Sequence, residues 1–206
     1  MDFHPAYPVL TRRLLLRPVT AADVQAVVAY RSIPEVCRFV PFEPMDRETV
    51  LAKLSGPWAT AAITAEGDSL LFGVELAEIG QVIGDITLFF RSAEHRTGEI
   101  GWVFHPDRSG CGYATEAAHA VLHLAFDEMQ LHRVVARVDS RNDPSLRLCR
   151  RLGMREEAHL IENEWFKGAW GDEIDFAMLE AEWARQHAEG SGLPGPLFAA
   201  LPRPDR

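Results

Sequence analysis

Positive charge is in short supply in this chain: 21 lysines and arginines stand against 30 aspartates and glutamates, a formal charge of −9 at pH 7. A general nucleic-acid binder needs a basic footprint, so that class is set aside. The balance suits a cationic partner such as an amine or a basic protein segment, and it equally suits plain solubility. Cysteine is scarce too. Cys37, Cys111 and Cys149 are odd in number, widely separated and without C-x-x-C spacing, which points to reduced thiols in a cytoplasmic protein rather than a disulfide frame or a zinc site. Long apolar runs are missing: nothing reaches the ~18 residues that span a bilayer, and MDFHPAYPVLTRR lacks the apolar centre of an export signal. No membrane partner is expected. There is no internal repeat. At 206 residues and 47% hydrophobic the chain can bury one substantial core, so a single domain over residues 1–188 is expected. The Gly/Pro-rich segment 189–206 reads as a surface-wrapping or disordered tail.

What is present is a clear order of patterns. Residues 13–19 (RLLLRPV) form a strand candidate, and Thr20 is a good N-cap for a helix to about residue 31. Residues 32–44 hold three prolines among apolar residues and read as irregular; Asp46 starts another helix to about residue 54. The runs 69–77, 81–90 and 97–104 are β-rich with short polar breaks, an antiparallel meander. Residues 113–129 give the clearest helix: Ala117, Ala118, Val121, Leu122 and Ala125 make an apolar stripe, with Glu116, His119, His123 and Asp127 opposite. That opposite face reads as solvated rather than metal-binding. A strand at 133–138 follows, then a helix with Asp143 as its N-cap and Pro144 at its first position, running to about residue 152 and stopped by Gly153. Strands at 155–161 and 173–179 flank an aromatic loop at 164–172 (EWFKGAWGD), and a short helix lies near 180–187. The order is mixed α/β.

The segment HPDRSGCGYATEAA, residues 105–118, carries the most information. Gly110 and Gly112 sit where a strand must turn into a helix, which leaves backbone N–H groups unpaired beside the positive end of a helix dipole. An anion fits such a nest, a phosphate or pyrophosphate best. A Walker loop needs a lysine after the glycines, and none follows here. A dinucleotide fingerprint needs a third glycine where Thr115 stands, and belongs near a first strand, whereas several strands precede this turn.

The remaining pattern, (Q/R)-x-x-G-x-(G/A), is the acyl-CoA pyrophosphate loop of the GNAT superfamily of N-acyltransferases, and Ser109-Gly110-Cys111-Gly112-Tyr113-Ala114 resembles it. GYATEA resembles the branch that contains the RimJ/RimL ribosomal-protein acetyltransferases. TRRLLLRPVTAAD at the start, Asn142-Asp143-Pro144-Ser145 with Leu152-Gly153-Met154, and ENEWFKGAWGDEIDFAML near the end are similar to segments of that branch in the right order. Ser109 departs from the Gln/Arg position, with Arg108 one place early.

The resemblance implies a GNAT fold: a central, mostly antiparallel, splayed seven-stranded sheet flanked by helices. It implies acetyl-CoA as cosubstrate and no metal. Backbone near Val103 and Phe104 would pair with the pantetheine arm. The N–H groups of Gly110, Cys111, Gly112, Tyr113 and Ala114, with Arg108 and Ser109 beside them, would hold the pyrophosphate. Asn142, on its own an ordinary turn residue, would reach the pantetheine amides. The implied chemistry is direct attack of a primary amine, from a peptide N-terminus or a small molecule, on the thioester. A lysine amine of pKa ~10.4 is about one part in 2,500 neutral at pH 7, and an α-amine near ~7.8 over one part in ten, so an N-terminus needs less help from a base. Glu99, on the strand entering the splay, is the candidate base; a solvated strand-end carboxylate is the other reading. Ser145 would donate to the thioester sulfur. Where relatives carry a tyrosine acid this chain has Cys149, which shares a helix face with Ser145, Leu148 and Leu152 and reads as a small buried hydrophobe.

The acceptor pocket is expected from the irregular parts, residues 39–44, Trp58 and 165–172, with Glu43, Glu162, Glu164 or Asp172 available for a cation. A homodimer is expected by likeness. An aminoglycoside-type antibiotic acetyltransferase, and a non-catalytic acyl-CoA sensor, are the alternatives.

Overall fold

The two central β-rich runs are buried almost continuously, and because successive side chains point to opposite faces, they build one sheet with a core on each face. The computed structural model describes residues 1–188; segment 189–206, and the tail expected there, lies outside the described residues. In chain order the elements are β1 (Val9–Leu10), β2 (Leu14–Pro18), α1 (Val24–Arg31), α2 (Pro34–Cys37), α3 (Arg47–Leu54), β3 (Ser69–Leu76), β4 (Gln81–Ser92), β5 (Thr97–Phe104), α4 (Tyr113–His123), β6 (Arg133–Asp139), α5 (Asp143–Arg151), β7 (Arg155–Phe166), β8 (Ala169–Leu179) and α6 (Glu180–Ala188).

The strands order as β1-β2-β3-β4-β5-β6-β8-β7, so the expected mixed α/β sheet is present with eight strands rather than seven. The extra one, β1, is two residues paired to Leu15 and Leu16, too short to leave a periodic signal. Every neighbouring pair is antiparallel except β5–β6. That parallel ladder holds only Thr97, Gly98 and Glu99 against Arg133, Val134 and Val135. Beyond it, β5 stays with β4 as far as Phe104↔Gly84, and β6 stays with β8 as far as Asp139↔Glu173. The sheet therefore opens into a V whose arms carry unpaired backbone edges, which need partners from outside the sheet.

One face of the sheet is covered by α4 and α5, where Ile86, Leu88, Ile100, Val121, Leu122, Leu148 and Phe176 share a core. The other is covered by α1–α3, with Val24, Val27, Val50, Leu71 and Val103. A buried ion pair fastens this second layer. Arg31 bonds Asp85 through Nε at 2.9 Å and Nη2 at 2.6 Å, and Tyr30 donates its hydroxyl to Asp85 at 2.6 Å. The guanidinium lies between the rings of Phe42 and Trp58, 4.6 and 4.7 Å from their centroids. Asp85 is opposite Val103 in register, so this pair anchors the layer beside the V.

The segment 32–44 contains α2, a single turn started by Pro34 at its first turn. The aromatic loop expected at 164–172 is instead the end of a long hairpin. Trp165 pairs with Trp170 and Phe166 with Ala169, and Lys167 and Gly168, at φ of 48° and 83°, make the two-residue turn. Lys-Gly is not one of the usual hairpin dipeptides; here Nζ of Lys167 donates to the carbonyls of Cys37 and Phe42 at 2.7 and 2.8 Å, tying the tip to α2. The α4 helix continues as a π-turn over Leu124–Glu128. Among the described residues no helix is long and apolar enough to cross a membrane.

Candidate active site

A cleft of about 860 Å³ opens in the V between β5 and β6. Trp102, Val103 and Phe104 form one wall, Asn142, Ser145 and Leu148 the other, and residues 108–110 with 112–115 the end. Gly84 accommodates the first wall: a Cβ there would stand 2.5 Å from the Phe104 ring and 2.6 Å from the Val103 carbonyl.

The end wall is the glycine turn. Gly110 and Gly112 have φ of 77° and 80°, where L-residues with a Cβ are disfavoured. Gly112 is the N-cap of α4, and no side chain caps that helix. The first-turn N–H groups thus face the cleft at the positive end of the dipole. Arg12, Arg13, Arg108 and Arg151 line the same cleft, a local positive rim in an acidic chain. Chemically the arrangement suits a ligand with an extended amide-bearing arm and an anionic end.

The expected site residues fall as follows. Val103, Phe104, Arg108, Ser109, Gly110, Gly112, Tyr113, Ala114, Asn142 and Ser145 all line the cleft. Cys111 is exposed on the outer side of the turn, with its Sγ 3.7 Å from the Ser109 carbonyl. Asn142, rather than Asp143, is the N-cap of α5, its side-chain oxygen 3.4 Å from Ser145 N. That leaves its amide N–H groups available to a ligand. Ser145 Oγ accepts Trp102 Nε1–H at 3.1 Å across the V, so its hydroxyl proton is available for a further acceptor. Cys149 is fully buried, and burial pushes its thiol up to about 12.

Glu99 is not in the cleft wall. It sits at the apex, the last β5 residue paired with β6, and accepts from Arg91 Nε at 3.0 Å. Its face of the sheet carries Glu173 and Asp175 from β8, which the sequence pattern had not singled out. The Glu173 carboxyl is raised by burial first, then by Asp175, with Glu164 and Glu99 adding to the effect.

The residues expected around the acceptor are spread over several places. Phe39 and Val40 line the cleft together with Glu35 and Val36 of α2. Trp58 does not; it is committed to Arg31. Glu43 pairs with Lys167 at 3.6 Å, and Trp165 and Trp170 stack edge-on at 5.5 Å as an exposed pair on the hairpin.

The expected solvated face of α4 is corrected by the structure, because β2 and α6 pack on it. Glu116 accepts from Thr11 and Arg13 and is largely buried. Burial raises its carboxyl, but these bonds outweigh that and hold it below the usual range. His119 is buried 4.9 Å from the Trp183 ring and 5.1 Å from His187. His123 pairs with Asp127 at 2.6 Å. Burial, then His187 and His123, lower His119 to about 4. The unfolded chain then takes up a proton that the folded one refuses, so stability falls as pH drops from about 6.5 to about 4. Urea titrations across that window should show the loss, and His119→Gln should flatten it.

A V-shaped parting of strands that ends in an uncapped, glycine-turned helix is the arrangement that the acyltransferase resemblance implies. The comparisons agree. A family model described as an acetyltransferase (GNAT) domain matches residues 13–155, and the chain belongs to that family. It is 36% identical over 178 residues to YnaD, an uncharacterized N-acetyltransferase of Bacillus subtilis, covering 85% of this chain and 98% of that protein. It resembles the crystal structure of a GNAT-family acetyltransferase from Bacillus anthracis at a TM-score of 0.75 and 32% identity, covering 88% of this chain and 100% of that one. The fold is also shared with a spermidine N-acetyltransferase from Vibrio cholerae solved with CoA and spermine, at a TM-score of 0.71 and 21% identity, covering 84% and 98% of the two chains.

Proposed function

We propose that this N-acetyltransferase binds acetyl-CoA in the V and transfers the acetyl group directly to a primary amine, an N-terminal α-amine or a small-molecule amine. One observation carries the reading: the α4 N-terminus, without a side-chain cap and preceded by two glycines at positive φ, closes a cleft between unpaired strand edges. N–H groups of residues 110–114 hold the pyrophosphate, and the edge of Val103–Phe104 and the Asn142 amide hold the pantetheine arm. The amine enters from the face of Glu99, Glu173 and Asp175, whose negative charge favours a cationic acceptor.

The new C–N bond forms as the C–S bond breaks. Glu99 takes the proton that the amine loses, directly or through water, and the Ser145 hydroxyl donates to the departing sulfur. A CoA thiolate, of thiol pKa near ~8.5, needs little more. Glu99→Gln should lower kcat at pH 7 by about a hundredfold and leave the Kd for CoA unchanged; unaltered turnover removes Glu99 from the proton path. The overall reading is tested by mass-spectrometric detection of acetylated products from an amine panel of N-terminal peptides, polyamines and aminoglycosides. Product with CoA release supports it; CoA binding with no product from any amine favours a sensor.

A further inference from the structure

We infer that Arg13, the residue just before β2, is the positioning residue of the anion-binding turn, and that Glu116 is the strut that holds Arg13 in place. The inference rests on the acetyl-CoA reading above and adds to it the part of the chain that keeps the turn in its binding shape.

Arg13 bonds to Cys111, lies over the ring of Tyr113 and closes the space beside Gly112 between them. Its Nη1 donates to the Cys111 carbonyl at 2.9 Å. Its Nη2 lies 3.5 Å from where a Gly112 Cβ would stand, and its guanidinium carbon is 4.4 Å from the centre of the Tyr113 ring. Among the described residues, no other side chain from outside the turn hydrogen-bonds to residues 110–112. A turn with two positive-φ glycines has many open conformations, so an external tie decides whether its N–H groups converge.

The tie is itself held. Glu116 Oε2 accepts from Arg13 Nε at 2.7 Å, and Oε1 accepts from the Arg13 backbone N–H at 2.8 Å and from Thr11 Oγ1 at 2.6 Å. Glu116 stands one turn into α4, so these bonds lock the start of β2 to the helix that supplies the N–H groups. Charge alone cannot be its purpose, because a carboxylate this close to a pyrophosphate site opposes the ligand.

That opposition supplies the test. By Coulomb's law alone, Glu116→Gln removes a negative charge and should tighten CoA; by positioning, it loosens Arg13 and weakens CoA. Calorimetry with CoA should give a Kd raised at least threefold for Glu116→Gln and at least tenfold for Arg13→Gln. Steady-state assays with two donors separate local from global damage. For both variants kcat/KM should fall with acetyl-CoA, mainly through KM, and stay within about threefold of wild type with S-acetylpantetheine, which lacks the pyrophosphate. Tighter or unchanged CoA binding by Glu116→Gln overturns the inference, and so does an equal loss with both donors. A wild-type protein that binds no CoA overturns the acetyl-CoA reading itself, and this inference with it.

Discussion

Gly112→Val should weaken CoA binding by about a hundredfold or more while leaving the protein folded. At φ 80° and ψ 4° the residue is in the left-handed region, a genuine outlier for a β-branched side chain. Holding a non-glycine residue there costs about 1–3 kcal/mol. A Cβ would also press on Arg13 Nη2, 3.5 Å away. The turn is exposed and contributes no core, so the chain relieves the strain by moving the turn, and the N–H groups lose their convergence. Gly80→Val is the control. Gly80 also has positive φ, 61°, with nothing within 4 Å, but lies in the β3–β4 turn away from the cleft. It should cost similar stability and leave the CoA Kd unchanged. Calorimetric titration of both variants with CoA makes the comparison.

Asp85→Asn should give the largest loss of stability. The substitution keeps the shape but strands the Arg31 guanidinium, with its side chain 5% exposed, without its counter-charge. Removing one partner of a buried pair costs about 3–5 kcal/mol. For a chain of this length that corresponds to a Tm fall on the order of 10 °C. The double replacement Arg31→Met with Asp85→Leu should be less damaging than Asp85→Asn alone, because it removes the stranded charge. Thermal melts of the three proteins decide this. A single variant as stable as the wild type would mean that the α1–α3 layer does not depend on this pair.

The parts of the fold that were legible in the sequence are those governed by local chemistry. The strand at 97–104 has the expected bounds, because alternating residues are bracketed by polar turn residues. The helix opening at Tyr113 follows from glycines that must take positive φ. What escaped depends on partners far along the chain. Arg13 and Glu116 are 103 residues apart, so no window reveals that this glutamate is bonded rather than solvated. His119 carries a polar signal on a face that Trp183 and His187 later cover. The Lys167-Gly168 turn gives no usual hairpin signal, since its positive-φ lysine is held by carbonyls of a distant segment. Glu99 was found by position, whereas its bond to Arg91 and its carboxylate neighbours on β8 come from strand pairing.

Backbone hydrogen exchange of the wild-type protein, followed by mass spectrometry with and without saturating CoA, probes the decisive point. Slowed exchange centred on amides 110–114, with a smaller effect at Val103–Phe104, is the expected pattern. Unslowed exchange at the glycine turn while CoA is demonstrably bound would mean that the coenzyme sits elsewhere, and the assignment of this cleft would be wrong.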